Sequence, residues 1–195
     1  MAKQPRAGRV KSRLARTVGV VAATGFYRAA SRAVIQRLSC TRRWQTVLAV
    51  TPDNTVHDRA WPGQLPRIAQ GGGDLGTRMQ HAIDAMPPGP VVVIGTDIPA
   101  IRPNHVAEAF SALGDNDAVF GPAPDGGYWL VGLSTGARSS RPFDNVRWSG
   151  PFALEDTLNN LQAKRVGLVS RLSDIDSGDD LAAEGGLHGR IVRQV

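Results

Sequence analysis

Five short segments of this 195-residue sequence carry side chains of a type and spacing that could do chemistry. Gly95-Thr96-Asp97-Ile98-Pro99 follows the apolar run Val91–Ile94. A carboxylate on a sharp turn at the end of a buried strand is well placed to hold a divalent cation, because ligands of open α/β sheets bind beyond the carboxyl ends of the strands. Asp97 reads equally as a turn residue bonding its own backbone, with Pro99 closing the turn. Asp174-Ile175-Asp176 offers two carboxylates at i and i+2, which aim at one hard cation if the backbone is extended. They read also as caps of a following helix, together with Asp179 and Asp180.

Gly8-Arg9-Val10-Lys11-Ser12-Arg13-Leu14 sets cations on a glycine-started loop ahead of a helix. Lys11, as a point charge, and Arg13, bidentately, could clamp a di- or triphosphate. The spacing is not that of a Walker loop. Gly71-Gly72-Gly73-Asp74 opens another helix, where backbone N–H groups could face an anion or a ribose. In Pro124-Asp125-Gly126-Gly127-Tyr128 the paired glycines either let the backbone approach a ligand or form a tight hairpin.

The elements that must position these segments alternate. Residues 20–38 read as a helix, with Val21, Phe26, Ala29, Ala30, Val34 and Leu38 as its apolar positions. Residues 45–51 form a β-rich run ended by Thr-Pro-Asp-Asn, and 52–66 is loop. Asp74 is placed to cap a helix carrying Leu75, Met79, Ala82, Ile83 and Met86 on one side. Val91–Ile94 is continuously apolar, which predicts a strand buried on both faces of a parallel sheet. A helix over 104–113, strands over 118–121 and 128–133, a helix over 151–163 and a strand over 166–169 complete an α/β sandwich on a mostly parallel sheet.

Composition narrows the class. The chain is 42% hydrophobic and 21% charged, which is globular, and its apolar runs are far too short to span a membrane. No secretory leader is recognisable, and the lone Cys40 excludes an internal disulfide, so a cytoplasmic protein is expected. Eleven Lys/Arg and no Asp or Glu precede Asp53, whereas twelve basic and seventeen acidic residues follow from there. Such a segment attracts phosphate in some form. Because twenty of the twenty-three basic residues are Arg, a compositional bias would give the same excess.

The joint order of Pro5-x-x-Gly8-Arg9-Val10-Lys11-Ser12-Arg13-Leu14, Gly73-Asp74-Leu75-Gly76-x-Arg78-Met79, Gly95-Thr96-Asp97-x-Pro99, Gly121-Pro122-Ala123-x-Asp125-Gly126-Gly127-Tyr128, Trp148-Ser149 and Asp174-x-Asp176 is far more specific than any one segment. Over nearly the whole chain it resembles a bacterial family of glycosyltransferase-A (GT-A) fold proteins described as nucleotide-diphospho-sugar-transferase-like. Through Lys11-Ser12-Arg13-Leu14-Ala15 and Asp174-Ile175-Asp176 it is more distantly similar to the 2-phospholactate guanylyltransferases. The resemblance implies one domain over residues 1–195, a three-layer α/β/α sandwich with a mostly parallel mixed sheet.

The resemblance implies also a Mg²⁺- or Mn²⁺-dependent transferase that moves a nucleotidyl or glycosyl group from an NTP or nucleotide-sugar to a small acceptor. On this reading Asp97, Asp174 and Asp176 hold the metal. Lys11 and Arg13, with Gly8 and Arg9, meet the phosphates, and Gly72, Gly73 and Asp74 line the base or ribose. Asp125 joins Asp97, Lys11 and Arg13 in catalysis, and Gly126, Gly127, Tyr128 and Trp148 border the acceptor. Two departures stand out. The apolar first strand of the family, central to its sheet, is missing before the Gly8 loop, so either the start lies upstream of Met1 or that edge is arranged differently. A lone Asp97 before Ile98-Pro99 replaces the Asp-x-Asp of many glycosyltransferases, which looks more like the nucleotidyltransferase branch. Two alternatives are a nucleotide-binding protein without catalysis and a nucleic-acid binder using the basic segment. The second lacks stacking or groove-reading signatures.

Overall fold

Strand β6 (Tyr128–Leu133) is bracketed on both sides, and everything else is arranged about it. In the computed structural model, which describes residues 1–173, β6 pairs antiparallel with β4 (Val91–Ile94) and with β5 (Ala118–Pro122). Strand β7 (Val166–Leu168) pairs parallel with β5, which gives the order β4-β6-β5-β7. A second, all-parallel group runs β1 (Ala2–Lys3), β2 (Leu48–Thr51), β3 (Arg67–Ala69). The Met1 amino group donates to the Ile94 carbonyl, tying the start of β1 to the end of β4.

Alternating side chains send β5 and β6 into two cores. Val119 and Leu130 face Val34 and Leu38 of α2 (Val20–Ser39) and Val106 and Ala109 of α4 (Pro103–Ala112). Phe120 and Val131 face Met79 and Ile83 of α3 (Leu75–Asp84), with Leu158 of α5 (Ala153–Asn159) packed at the margin. Helices thus cover both faces of the sheet, the three-layer sandwich of the sequence reading. A short helix α1 (Ser12–Val18) and strands β1 and β3 carry too few residues for a periodic signal, and the sequence reading lacks them.

Several expectations are corrected. The first strand is present, as a two-residue stub paired with β2. Strand β4 pairs antiparallel with β6 rather than in parallel, and it is half-exposed along its whole length rather than buried on both faces. The cause is an open apolar groove of about 560 Å³ between β2 and β4, lined by Ala49, Val92, Ile94, Val106 and Phe110 among others. Val21 is 85% exposed and Leu75 47% exposed, so neither belongs to the apolar face assigned to its helix. Phe152 is likewise exposed and precedes α5 instead of lying within it.

The groove makes β4 more tolerant than its composition suggests. Val92→Thr should cost under about 1 kcal/mol in urea unfolding, because its hydroxyl can reach water, whereas Val119→Thr in the closed core should cost about 1–3 kcal/mol.

Candidate active site

The loops leaving β1, β4 and β5 converge on one cleft at the carboxyl ends of the parallel strands. Lys11 sits just ahead of α1 in the left-handed region (φ 45°, ψ 51°), unusual for a residue with a side chain. That backbone turns its side chain inward, where it is only 5% exposed and lies with Nζ 3.3 Å from Asp97 Oδ2. Asp97 keeps 40% of its side chain in solvent. Its position depends on Gly95, because a Cβ there would lie 2.8 Å from Asp97 Oδ1. The following turn is held from behind: Arg37 of α2 and Arg102 both donate to the carbonyls of Pro99 and Ile101.

Two cavities adjoin at this pair. A cation-rich one of about 340 Å³ is lined by Lys3, Arg9, Lys11, Arg13, Tyr27 and Asp97. A larger one of about 530 Å³ shares Lys3, Tyr27 and Asp97 and extends to Arg78, Asp125, Tyr128 and Trp148. Buried Tyr27 accepts a hydrogen bond from the Lys3 amide (3.0 Å) and stands at the border of the two.

The far wall of the larger cavity is rigid. Asp125 Oδ1 accepts from the Gly127 amide (3.0 Å), closing the β5–β6 hairpin, so the paired glycines form the hairpin of the sequence reading. Gly126 has φ +84°, and a Cβ on it would lie 2.1 Å from the Pro151 carbonyl oxygen. The Tyr128 hydroxyl lies 3.4 Å from Thr157 Oγ1, and burial raises its pKa above the ordinary phenol value. Trp148 packs edge-on to Tyr128 and fits over α3 because a side chain at Gly76 would meet Trp148 Cζ2 at 2.8 Å. Its Nε1 donates to Asp74 Oδ2 (3.2 Å). Next to it, Arg147 forms a bidentate pair with Asp156 (2.8 and 2.7 Å) and lies 4.0 Å over the Phe152 ring.

The structure therefore brings together Arg9, Lys11, Arg13, Asp97, Asp125, Gly127, Tyr128 and Trp148 around one cleft. Gly8, Gly72, Gly73, Asp74 and Gly126 line neither cavity. The Asp74 carboxylate is occupied by capping: it accepts from the Thr77 hydroxyl (2.6 Å) and amide (2.8 Å) and from Trp148. The Thr77 hydroxyl bond, followed by the amide bond, holds its pKa below the usual carboxylate value. Asp174 and Asp176 lie outside the described residues. Arg78, which stands in the family-like Gly73–Met79 segment without a role of its own there, reaches the larger cavity, as do Tyr27, Thr51 and Gln70, to which the sequence reading gives no site role.

For a divalent metal, Asp97 is the candidate anchor. No group of three or more His, Cys, Asp or Glu is placed to hold an ion among the described residues. A single carboxylate suits Mg²⁺, which commonly takes one or two carboxylates and completes its shell with water and substrate phosphates. The space that Gly95 leaves beside Oδ1 fits that use.

A profile of a family described as an uncharacterised protein conserved in bacteria (DUF2064) matches residues 34–150. No curated protein sequence matches. Among solved structures, a candidate nucleotide-diphospho-sugar transferase from Desulfovibrio desulfuricans G20 superposes with TM-score 0.83 at 28% identity, covering 98% of this chain and 94% of that one. The 4-diphosphocytidyl-2C-methyl-D-erythritol synthase of Anaerococcus prevotii DSM 20548 gives 0.58 at 11% identity over 82% and 86%. Molybdopterin-guanine dinucleotide biosynthesis protein A of Archaeoglobus fulgidus gives 0.52 at 15% over 80% and 86%. These last two establish a shared fold.

Gly126→Ala should destabilise the chain by about 2 kcal/mol or more in chemical unfolding, since both the positive φ and the Pro151 carbonyl oppose a methyl group. A pH effect follows from Asp156. The Arg147 side-chain bond, with the Arg147 amide bond second, lowers its pKa from 3.8 to about 2. A depressed carboxylate contributes stability that is present above its unfolded pKa and lost as pH falls through the folded one. The stability difference between wild type and Arg147→Gln should therefore narrow between about pH 4 and pH 2 in urea melts.

Proposed function

The chain belongs to the DUF2064 family of proteins conserved in bacteria, and on that footing we propose that it is a metal-dependent transferase acting on a nucleotide. It would move a nucleotidyl or glycosyl group to a small acceptor, with the whole chain, residues 1–195, as one catalytic domain. The observation that carries this reading is the Lys11–Asp97 pair at the junction of a cation-rich cavity and a second cavity walled by aromatic and acidic side chains. The first suits phosphates and the second an acceptor. Likeness to a candidate nucleotide-diphospho-sugar transferase over 98% of the chain supports the same class.

In this reading Lys11, Arg9 and Arg13 stabilise the negative charge that builds on the leaving phosphates, which is the principal task in such transfers. Asp97 holds Mg²⁺ or Mn²⁺, which when bound neutralises phosphate charge and orients the attack. Asp125 and Tyr128 face the acceptor, and Trp148 closes its side. With an NTP, the acceptor oxygen attacks the α-phosphorus and pyrophosphate leaves. With a nucleotide-sugar, an acceptor hydroxyl attacks the anomeric carbon and the nucleoside diphosphate leaves. In both, the leaving group departs toward the cation-rich cavity. A cytoplasmic location, where such donors are made, accords with this reading. No helix among the described residues is long and apolar enough to cross a membrane.

Thermal-shift titration with each NTP and each common nucleotide-sugar, with and without Mg²⁺, tests the proposal. A ligand at 100 times its Kd adds about 2.7 kcal/mol, which is readily seen. Wild type should show a Mg²⁺-dependent shift with one donor class, and Asp97→Asn should lose the metal dependence. If no donor shifts wild type, or if Asp97→Asn keeps the full Mg²⁺-dependent shift, the reading or the role of Asp97 fails.

A further inference from the structure

Most half-buried arginines of this chain have committed their guanidinium donors to the protein. Arg37 and Arg102 each bind the Pro99 and Ile101 carbonyls, and Arg138 binds the carbonyls of Ile83, Met86, Pro87 and Gly89. Arg67 donates to the Asp58 carbonyl. Arg78 differs. It is half-buried in the wall of the larger cavity, and its Nε donates to the Gly73 carbonyl (3.0 Å), which fixes the plane of the group. Its two terminal NH₂ groups have no protein acceptor among the described residues. A guanidinium anchored through Nε and open at both Nη atoms presents the fork that matches a carboxylate or phosphate.

Its surroundings say which substrate. The cation-rich cavity holds Lys3, Arg9, Lys11 and Arg13 but not Arg78, which lines only the larger one. Among the described residues, Arg78 and Lys3 are the only basic side chains lining that larger cavity, which also holds the carboxylates of Asp97 and Asp125. Leu75, three residues earlier on the same face of α3, is 47% exposed in the same cavity despite being a large apolar residue. An apolar contact next to an unspent guanidinium is what a small molecule with a short carbon body and an anionic head requires.

We propose that Arg78 is the specificity anchor for an oxyanion, phosphate or carboxylate, on the acceptor, with Leu75 supporting the adjoining carbon skeleton. This rests on the transferase reading above, in which the nucleotide phosphates occupy the cation-rich cavity. Arg78 binds here and does not take part in bond making.

The test loads the full-length chain with the donor nucleotide that gives the largest thermal shift, then titrates glycerol 3-phosphate, glycerate and glycerol by calorimetry. Wild type should bind at least one of the two anions and not glycerol, and the preferred head group identifies the acceptor class. Arg78→Gln should weaken that anion about tenfold or more while leaving the donor shift unchanged. Arg78→Lys, retaining charge without the fork, should fall between. The proposal is overturned if wild type binds neither anion, if Arg78→Gln binds the anion as well as wild type, or if Arg78→Gln loses the donor shift instead, which would assign the group to the nucleotide. Should no donor bind at all, the transferase reading fails by itself, and the same titrations on the unloaded chain still decide whether Arg78 makes an anion site.

Discussion

A lysine ammonium that is almost wholly removed from water needs a counter-charge, since the desolvation of an isolated charge would otherwise outweigh the folding free energy of a domain this size. In this chain that constraint is met by Asp97, 3.3 Å from the Lys11 nitrogen. The pair joins the loop after β1 to the turn after β4, two strands with no ladder between them. The Met1 amino group on the Ile94 carbonyl also links these strand ends. The left-handed backbone at Lys11 is consistent with this demand, because a strained conformation persists when its surroundings over-determine it. Removing Asp97 takes a counter-charge from a buried ammonium, whereas removing Lys11 takes one from a half-solvated carboxylate. On the proposed reading, a metal would take Asp97 as its partner and a donor phosphate would take Lys11.

The remaining walls are rigid for a different reason. Where the backbone turns sharply, its carbonyls and amides are answered by side chains from elements distant in sequence. Arg37 reaches from α2 to the turn after Asp97, Trp148 reaches to the cap of α3, and Asp156 of α5 takes both the backbone and the guanidinium of Arg147. Each contact is partly solvated and individually worth little. Their effect is geometric: they fix three loops relative to one sheet end, which is what a site must do to orient two substrates.

That division explains what could be read from sequence. Contiguous patterns were legible: Tyr128–Leu133 and Val91–Ile94 as strands, residues 20–38 as a helix, and Asp74 as a helix cap. Asp74 shows the limit, because the resemblance also implies a nucleotide contact for this residue, whereas its carboxylate is taken up by Thr77 and Trp148. Which side of a helix meets the core depends on what lies opposite, and for Leu75 and Val21 nothing does. Strand β4 reads as fully buried because its composition is that of a central strand, and only the three-dimensional gap toward β2 exposes it. Arg78 lies within a helical pattern, and nothing local distinguishes an arginine that has spent its donors from one that has not.

The basic excess before Asp53 resolves in the same way, once its members are followed individually. Arg37 is consumed holding carbonyls, and Lys11 faces Asp97. Lys3, Arg9 and Arg13 line the smaller cavity, and Arg28, Arg32, Arg42 and Arg43 lie at the exposed surface. A nucleic-acid groove needs cations in a continuous track, interleaved with aromatic rings or a groove-sized element. Here the cations that converge do so on a cavity of about 340 Å³ that also contains a carboxylate. A polyanion backbone is poorly matched to such an enclosure, while a few phosphate groups with a cation beside Asp97 are matched to it in size and in sign. On the proposed reading, the charge that bears on function is local, carried by the side chains around Lys11.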